Sequence, residues 1–173
     1  QNSDPMKGTY DDVVSAANYL STIPFVNSKK MGLQGHSWGA IQINYLITKT
    51  NVFAAACSSS GTGDWISLYG TLEGYGNSKA YDFEIGQHRM RSTLWQNKEG
   101  FIKNSPVLNA DRVCTPLLMK HGLKDERTPF NNALEFFLGL RRLGKKVWLL
   151  AYPQGQHVLE GAEALDFGQR MTQ

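Results

Sequence analysis

A serine between two glycines is the first feature of this sequence that could carry chemistry. Gly35-His36-Ser37-Trp38-Gly39 has the spacing G-x-S-x-G, in which the serine occupies a sharp turn from a strand into a helix. The neighbouring residues provide that context, because their patterns predict a short strand over Lys30 to Gln34 and a helix over Ala40 to Thr48. Ser37 is therefore a candidate nucleophile.

This turn constrains the backbone conformation of its residues. We expect Ser37 to be held in a strained conformation that projects its hydroxyl from the sheet. A Cβ at Gly35 or Gly39 is expected to strike the neighbouring strand or helix. The amide of Trp38, at the start of the helix, could then donate a hydrogen bond to an oxyanion. The alternative is a glycine-rich turn that serves packing and contains a serine by chance.

A serine hydroxyl is a weak nucleophile near neutral pH, so this chemistry needs a histidine base and a carboxylate that orients it. With this kind of turn the three residues follow along the chain in the order serine, acid, histidine. Asp125 comes after a strand predicted over Pro116 to Lys120, and His157 after one predicted over Lys146 to Tyr152. Because functional groups gather beyond the carboxyl ends of parallel strands, we predict a triad of Ser37, Asp125 and His157.

Other residues compete for these roles. Glu126 is adjacent to Asp125 and is a second choice for the acid, although a solvated surface charge is the simpler interpretation. His36 lies inside the turn and His121 at the end of a strand, where histidines are more often structural than basic. His88 precedes any suitable acid and fits the chain order poorly.

The remaining predicted elements alternate between helix and strand. They are a helix over Thr9 to Thr22, a strand over Val52 to Cys57, a helix over Phe130 to Leu143 and a last helix after His157. An irregular, aromatic excursion over about 64–106 carries helical fragments at Trp65 to Tyr69, Phe83 to Arg91 and Lys98 to Lys103. This order predicts an α/β fold over residues 1–173, with a mainly parallel sheet and helices on both faces.

Composition excludes several classes of protein. The 173 residues carry a net charge of only +3 without a basic run, so we expect no nucleic-acid partner. No apolar stretch is long enough for a membrane helix, so we expect no membrane partner either. Cys57 and Cys114 are too few for a disulfide framework and wrongly spaced for zinc; we expect buried free thiols, with a single bridge as the alternative.

The chain resembles the prolyl oligopeptidase family of serine peptidases, which includes dipeptidyl and acylaminoacyl peptidases. Besides the serine turn, the resemblance rests on Asp4-Pro5 to Tyr19-Leu20, Thr115-Pro116-Leu117-Leu118 through His121-Gly122 to Asp125 and Pro129, Leu140 to Lys145, and Tyr152 to His157. It implies part of an α/β-hydrolase catalytic domain that cleaves peptide substrates through an acyl-enzyme, with the same three residues as its triad. No metal or organic cofactor is implied.

The resemblance also implies that part of the domain lies outside this sequence. Ala40 stands where many members have a second glycine, which is a small change. Members have further strands before this region, together with a second oxyanion donor, so we expect a truncated domain whose sheet is completed by a missing N-terminal region or a second chain. Without that neighbour, the strand Lys30 to Gln34 has an open edge.

The resemblance and the fold also bear on specificity and activity. The resemblance makes Trp65 and Tyr69 candidates for aromatic walls of a substrate pocket, but both could equally pack the excursion onto the sheet. The same fold and triad also serve esterases and other acyl hydrolases. A non-catalytic fragment that acts in assembly is the rival of a different class.

Overall fold

In a computed structural model that describes residues 4–172, helices and strands alternate along the chain. The strands are β1 (Gly32–His36), β2 (Ala55–Ser59), β3 (Leu117–Gly122) and β4 (Val147–Tyr152). The helices are α1 (Lys7–Ser21), α2 (Trp38–Leu46), α3 (Trp65–Tyr69), α4 (Ala80–Glu84), α5 (Lys98–Asn104), α6 (Phe130–Arg142) and α7 (Gly161–Met171). Two short 3-10 helices cover Ser28–Lys30 and Pro106–Arg112.

The four strands form one parallel sheet in which spatial order follows chain order, from β1 to β4. All four therefore end at the same rim, and the register aligns His36 with Ser59, Ser59 with Lys120, and Lys120 with Leu150. β1 pairs with β2 on one side, and no other described strand pairs with its second edge. Parallel pairing requires a crossover between consecutive strands, and α2, α6 and the long excursion supply these crossovers.

One face of the sheet is covered by α2 and α6. Because side chains alternate between the faces of a strand, Leu117 and Met119 of β3 point to this side, where they meet Phe136 and Leu140 of α6. The buried members of this cluster are Ile43, Ile47, Ala56, Ala110, Val113, Leu117, Met119, Ala133, Phe136, Leu140 and Val147. This cluster is the main core, and it fixes the sheet that carries the rim.

The opposite face is only partly covered, by α7. Phe167 and Ala164 of that helix line a cavity together with Gln34 and His36, which are exposed on this face of β1. No residue of α7 is fully buried, although the helix has a distinct apolar side. The polar residue Lys120 belongs to this face of the sheet and is nevertheless buried.

The excursion has an apolar cluster of its own. Its members are Met6, Ile41, Tyr45, Trp65, Leu68, Tyr69, Phe83, Met90 and Phe101. These residues join α3, α4 and α5 to the side of α2 that faces away from the main core, so the excursion is packed along α2. This packing gives an irregular segment an apolar core of its own beside the serine turn.

The predicted elements are present, with shifts at their ends. β1 begins later than predicted because Ser28–Lys30 form a 3-10 helix, and it continues through His36 up to the serine. The fragment predicted over Phe83 to Arg91 is wrong after Glu84. Arg89 and Arg91 have positive φ values of 56° and 54°, which a right-handed helix does not accommodate.

Both cysteines are free thiols, as predicted, but only Cys57 is buried. Cys114 is exposed, so the expectation of two buried thiols is wrong for this residue. It lies in the short segment between the 3-10 helix Pro106–Arg112 and β3. Within residues 4–172, no helix combines the length and the apolar character that crossing a bilayer requires.

Candidate active site

Ser37 occupies the turn between β1 and α2. Its φ of 57° and ψ of −118° lie outside the regions that non-glycine residues normally adopt, so the backbone there is strained. Its amide donates to the carbonyl of Ser59 at 2.9 Å, which ties the turn to the end of β2. Ser37 is also the N-cap residue of α2, yet its hydroxyl makes no capping hydrogen bond. The hydroxyl is therefore available to another partner.

The two glycines of the turn differ in what they permit. A Cβ on Gly35 would lie 2.6 Å from the carbonyl carbon of Gly39 and 2.7 Å from its oxygen, so only glycine fits there. A Cβ on Gly39 would meet nothing within 4 Å, so the predicted clash at this position is wrong among the described residues. The close approach runs from the α-carbon of Gly35 to the carbonyl of Gly39, and the Cβ position of Gly39 faces open space.

Asp125 lies in the loop after β3, and its side chain is completely buried. Its Oδ1 accepts from the amides of Arg127 and Thr128, each at 2.9 Å, and its Oδ2 accepts from the Thr128 hydroxyl at 2.7 Å. Burial alone would raise the pKa of Asp125, but hydrogen bonds from His157 and Thr128 outweigh it and hold this pKa well below its usual range. Asp125 is therefore a carboxylate that only accepts hydrogen bonds.

His157 lies in the loop after β4 and bridges the other two residues. Its Nδ1 is 2.9 Å from Asp125 Oδ2 and 3.1 Å from Oδ1, while its Nε2 is 2.8 Å from the Ser37 hydroxyl oxygen. Since the carboxylate cannot donate, Nδ1 carries the proton, and Nε2 is left to accept the hydrogen bond of the serine. The arrangement can thus move a proton away from the Ser37 hydroxyl.

The acid and histidine loops hold each other in place. The Lys124 amide donates to the carbonyl of Gly155 at 2.9 Å, and the Leu123 amide donates to the carbonyl of Tyr152 at 2.9 Å. Gly122 permits this contact, because a Cβ there would be 2.2 Å from the Gly155 carbonyl oxygen. The distance between Asp125 and His157 therefore depends on direct backbone contact between their loops.

The competing residues occupy other environments. Glu126 is exposed and packs against Gly74. His121 is buried beneath the acid, where its Nε2 donates to the carbonyl of Thr128 at 2.8 Å, and burial lowers its pKa. The ring of His36 packs against that of His157 with centroids 4.8 Å apart. His88 is enclosed by aromatic rings in the excursion, and burial lowers its pKa to about 3.

The residues predicted around the serine lie in the excursion cluster or at its border. Trp38 is the first residue of α2, so its amide has no acceptor one turn earlier in the helix. Trp65 is 0% exposed and Tyr69 is 7% exposed, with the Tyr69 hydroxyl donating to Glu84 at 2.5 Å. The exposed ring of Trp95 stands edge-on against Tyr69, with ring centroids 5.9 Å apart.

Sequence reasoning missed three residues of this site. Thr128 binds Asp125 through both its amide and its hydroxyl, and its position three residues after an aspartate was a usable signal. Ser60 and Lys120 both approach the main-chain carbonyl of His157. They stand in different segments, so no local pattern connects them.

Comparison with known proteins places this geometry in context. Residues 2–170 match the model of the prolyl oligopeptidase family. The chain belongs to the prolyl oligopeptidase family. Among relatives in this family, an uncharacterized peptidase, YuxL, of Bacillus subtilis is 31% identical over 151 residues, which are 87% of this chain and 22% of that protein.

Solved structures agree with this assignment. The acylaminoacyl peptidase of Pyrococcus horikoshii has a TM-score of 0.70 and 27% identity, and the match covers 86% of this chain and 23% of that one. Dipeptidyl peptidase 4 of Porphyromonas gingivalis has a TM-score of 0.81 at 19% identity over 98% of this chain and 22% of that one. The fold is the α/β-hydrolase fold of these prolyl oligopeptidase family proteins. The chain thus spans less than a quarter of the length of these relatives.

Proposed function

We propose that the protein is a serine peptidase in which Ser37, His157 and Asp125 form the catalytic triad and peptide bonds are hydrolysed through an acyl-enzyme. The observation that carries the proposal is the continuous hydrogen-bonded line from the Ser37 hydroxyl to His157 Nε2 at 2.8 Å and from His157 Nδ1 to Asp125 at 2.9 Å. Membership of a serine peptidase family supports it independently.

The proposed mechanism follows from the protonation states. As the Ser37 oxygen attacks the substrate carbonyl, its proton passes to His157 Nε2, and the imidazolium is stabilised by the buried carboxylate of Asp125. The same proton then passes to the leaving amine, which leaves an ester between Ser37 and the acyl group. A water molecule, deprotonated by His157, attacks this ester, and the free serine is restored.

The oxyanion of each tetrahedral intermediate needs donors that are already in place. The amide of Trp38 is the donor that this chain offers, because it opens α2 directly after Ser37. The positive end of the α2 dipole also stabilises the negative charge of the oxyanion, although α2 has only nine residues. The second donor is proposed to come from the strands that precede this region in the family.

Peptides are the substrate class we propose, since structures of related proteins include an acylaminoacyl peptidase and a dipeptidyl peptidase. The role of Trp65 and Tyr69 as pocket walls stays part of the proposal. Both side chains are buried, so a substrate would meet them only after neighbouring side chains move aside.

A serine-directed fluorophosphonate tests the triad. The protein at its natural length should be labelled on the peptide that contains Ser37, and Ser37→Ala should abolish the label. Ser21→Ala is the matched control, since that serine is exposed on α1 and should not affect labelling. Absence of labelling in the natural-length protein contradicts the proposal.

A second measurement separates peptidase from esterase activity. Turnover of a dipeptide anilide is compared with that of a short-chain aryl ester on the same preparation. Anilide turnover that disappears in Ser37→Ala supports the peptidase. Ester turnover without any anilide turnover would assign the same triad to an esterase.

A further inference from the structure

Lys120 is an unusual residue for its place in the sheet. It is the fourth residue of β3 and is only 3% exposed, and the residues around it in the strand are apolar or buried. Among residues 4–172, no carboxylate forms an ion pair with its amine. A buried ammonium group without a charged partner destabilises a fold, whereas leucine or methionine at this position would not. Its presence therefore requires a reason other than stability.

The amine of Lys120 points toward the histidine loop. Its Nζ donates to the hydroxyl of Ser60 at 3.1 Å and lies 3.5 Å from the main-chain carbonyl oxygen of His157. The Ser60 hydroxyl, in turn, donates to that same carbonyl oxygen at 2.9 Å. A serine hydroxyl has one proton, so the lysine supplies the hydrogen bond that Ser60 accepts while it donates to His157.

Ser60 is itself held in an unfavourable conformation. Its φ is 54°, in the left-handed region that non-glycine residues rarely adopt, and it is completely buried at the end of β2. Its amide donates to the carbonyl of Lys120 at 2.8 Å, so the two residues are bonded through both main chain and side chain. Strained residues of this kind persist where the surrounding structure holds them, and they concentrate at functional sites.

We propose that Lys120 and Ser60 are positioning residues, which fix the main chain of His157 so that its imidazole reaches Ser37 and Asp125 together. The proposal rests on the proposed function, in which His157 is the base. Asp125 holds the imidazole from one side at 2.9 Å, and Ser60 holds the backbone of the same residue at 2.9 Å. With both ends of the residue held, the distance from Nε2 to the Ser37 hydroxyl is set before substrate binds.

We call the contacts of Lys120 and Ser60 with the main-chain carbonyl of His157 the anchor. Two variants remove it in different ways. Lys120→Met keeps an unbranched side chain and removes the charge, and Ser60→Gly removes the hydroxyl while accepting the positive φ. Each should lower kcat about 10-fold to 100-fold, since a displacement of about 1 Å in a catalytic group can have an effect of this size. KM should stay within about twofold, because neither residue is proposed to touch substrate.

The two residues act on one carbonyl, so their effects should not multiply. The double variant should be no more than about threefold slower than the slower single variant. Lys146→Met is the matched control, as this lysine is exposed just before β4 and should leave kcat unchanged.

Stability separates a positioning role from simple loss of structure. Removing a buried, unpaired charge should leave the melting temperature of Lys120→Met equal to or higher than that of the parent protein. A lower kcat in a protein that is at least as stable supports the proposal. A kcat within twofold of the parent value, or a loss of kcat accompanied by a lower melting temperature in both variants, would overturn it.

Hydrogen exchange tests the anchor without using activity. Backbone amides of residues 154–160 should exchange faster in Lys120→Met and Ser60→Gly than in the parent, with exchange in α6 unchanged. Equal exchange in all three proteins overturns the anchor even if the enzyme is active. Faster exchange in the two variants, when the parent protein is not labelled by the fluorophosphonate, would retain the anchor and reject the triad.

Discussion

Replacing Asp125 by asparagine removes one charge and leaves the shape of the side chain. The amides of Arg127 and Thr128 both donate to Oδ1 at 2.9 Å, so an oxygen must stay at that position. The new NH₂ group must then stand where Oδ2 was, 2.9 Å from His157 Nδ1. An NH₂ group can only donate, so the closer contact favours Nδ1 as an acceptor over Nδ1 as a donor to Oδ1 at 3.1 Å.

The consequence reaches the serine through the imidazole ring. With Nδ1 as an acceptor, the single proton of neutral His157 moves to Nε2, which lies 2.8 Å from the Ser37 hydroxyl. A protonated Nε2 cannot take the proton of the serine. In serine hydrolases with this triad, the same exchange lowers kcat by about 10⁴, which corresponds to roughly 5 kcal/mol of transition-state stabilisation.

The assay is steady-state turnover of a dipeptide anilide by the natural-length protein, with the rate of fluorophosphonate labelling measured in parallel. Glu126→Gln is the matched control, because it makes the same chemical change at the neighbouring, exposed residue and should stay within about twofold of the parent. A kcat for Asp125→Asn within tenfold of the parent value, in a folded protein, would refute the tautomer argument.

Two further predictions concern packing and pH. Gly122→Ala should lower the melting temperature by roughly 3 to 10 °C and reduce fluorophosphonate labelling, because the added carbon would be 2.2 Å from the Gly155 carbonyl oxygen. Differential scanning fluorimetry measures the melting temperature. Gly168→Ala is the control, since a Cβ on this residue of α7 meets nothing within 4 Å and should be neutral or stabilising. His88 has a pKa of about 3 in the folded protein, so the unfolded chain, with an ordinary pKa near 6.5, binds the extra proton first and stability falls as pH decreases below about 6.5. Urea denaturation at pH 7.5 and 5.5 should show that the parent loses about 1 kcal/mol more than His88→Phe, and equal losses in both proteins would exclude this origin of the pH dependence.

Much of the site geometry could be anticipated because its parts follow one rule. Ser37, Asp125 and His157 each lie in the loop that follows a strand, and parallel strands bring such loops to one rim of the sheet. Assigning the nucleophile, acid and base to these loops needed only the positions of the strands and the order of serine, aspartate and histidine along the chain. The choice of Asp125 over Glu126 also agrees with burial, since one is enclosed and the other exposed.

What the sequence did not reveal depends on contacts between distant segments. Lys120 stands in an apolar run, and its partners are Ser60 and the carbonyl of His157, which come from the ends of two other strands. Gly39 matched the motif, but its freedom to accept a Cβ depends on where its neighbours stand in space. The turns at Arg89 and Arg91 likewise follow from how the excursion folds back on its own aromatic cluster rather than from local preference.

The order of the strands has a consequence for how the protein is made. The imidazole that we propose as the acceptor of the Ser37 proton is encoded 120 residues after that serine, beyond β4. At about 5 to 20 residues per second, a ribosome needs roughly 6 to 24 s to cover that distance. A nascent or prematurely terminated chain therefore carries the hydroxyl without any base to activate it. Under the proposed mechanism, an incomplete chain therefore cannot hydrolyse peptide bonds in other proteins before its synthesis reaches His157.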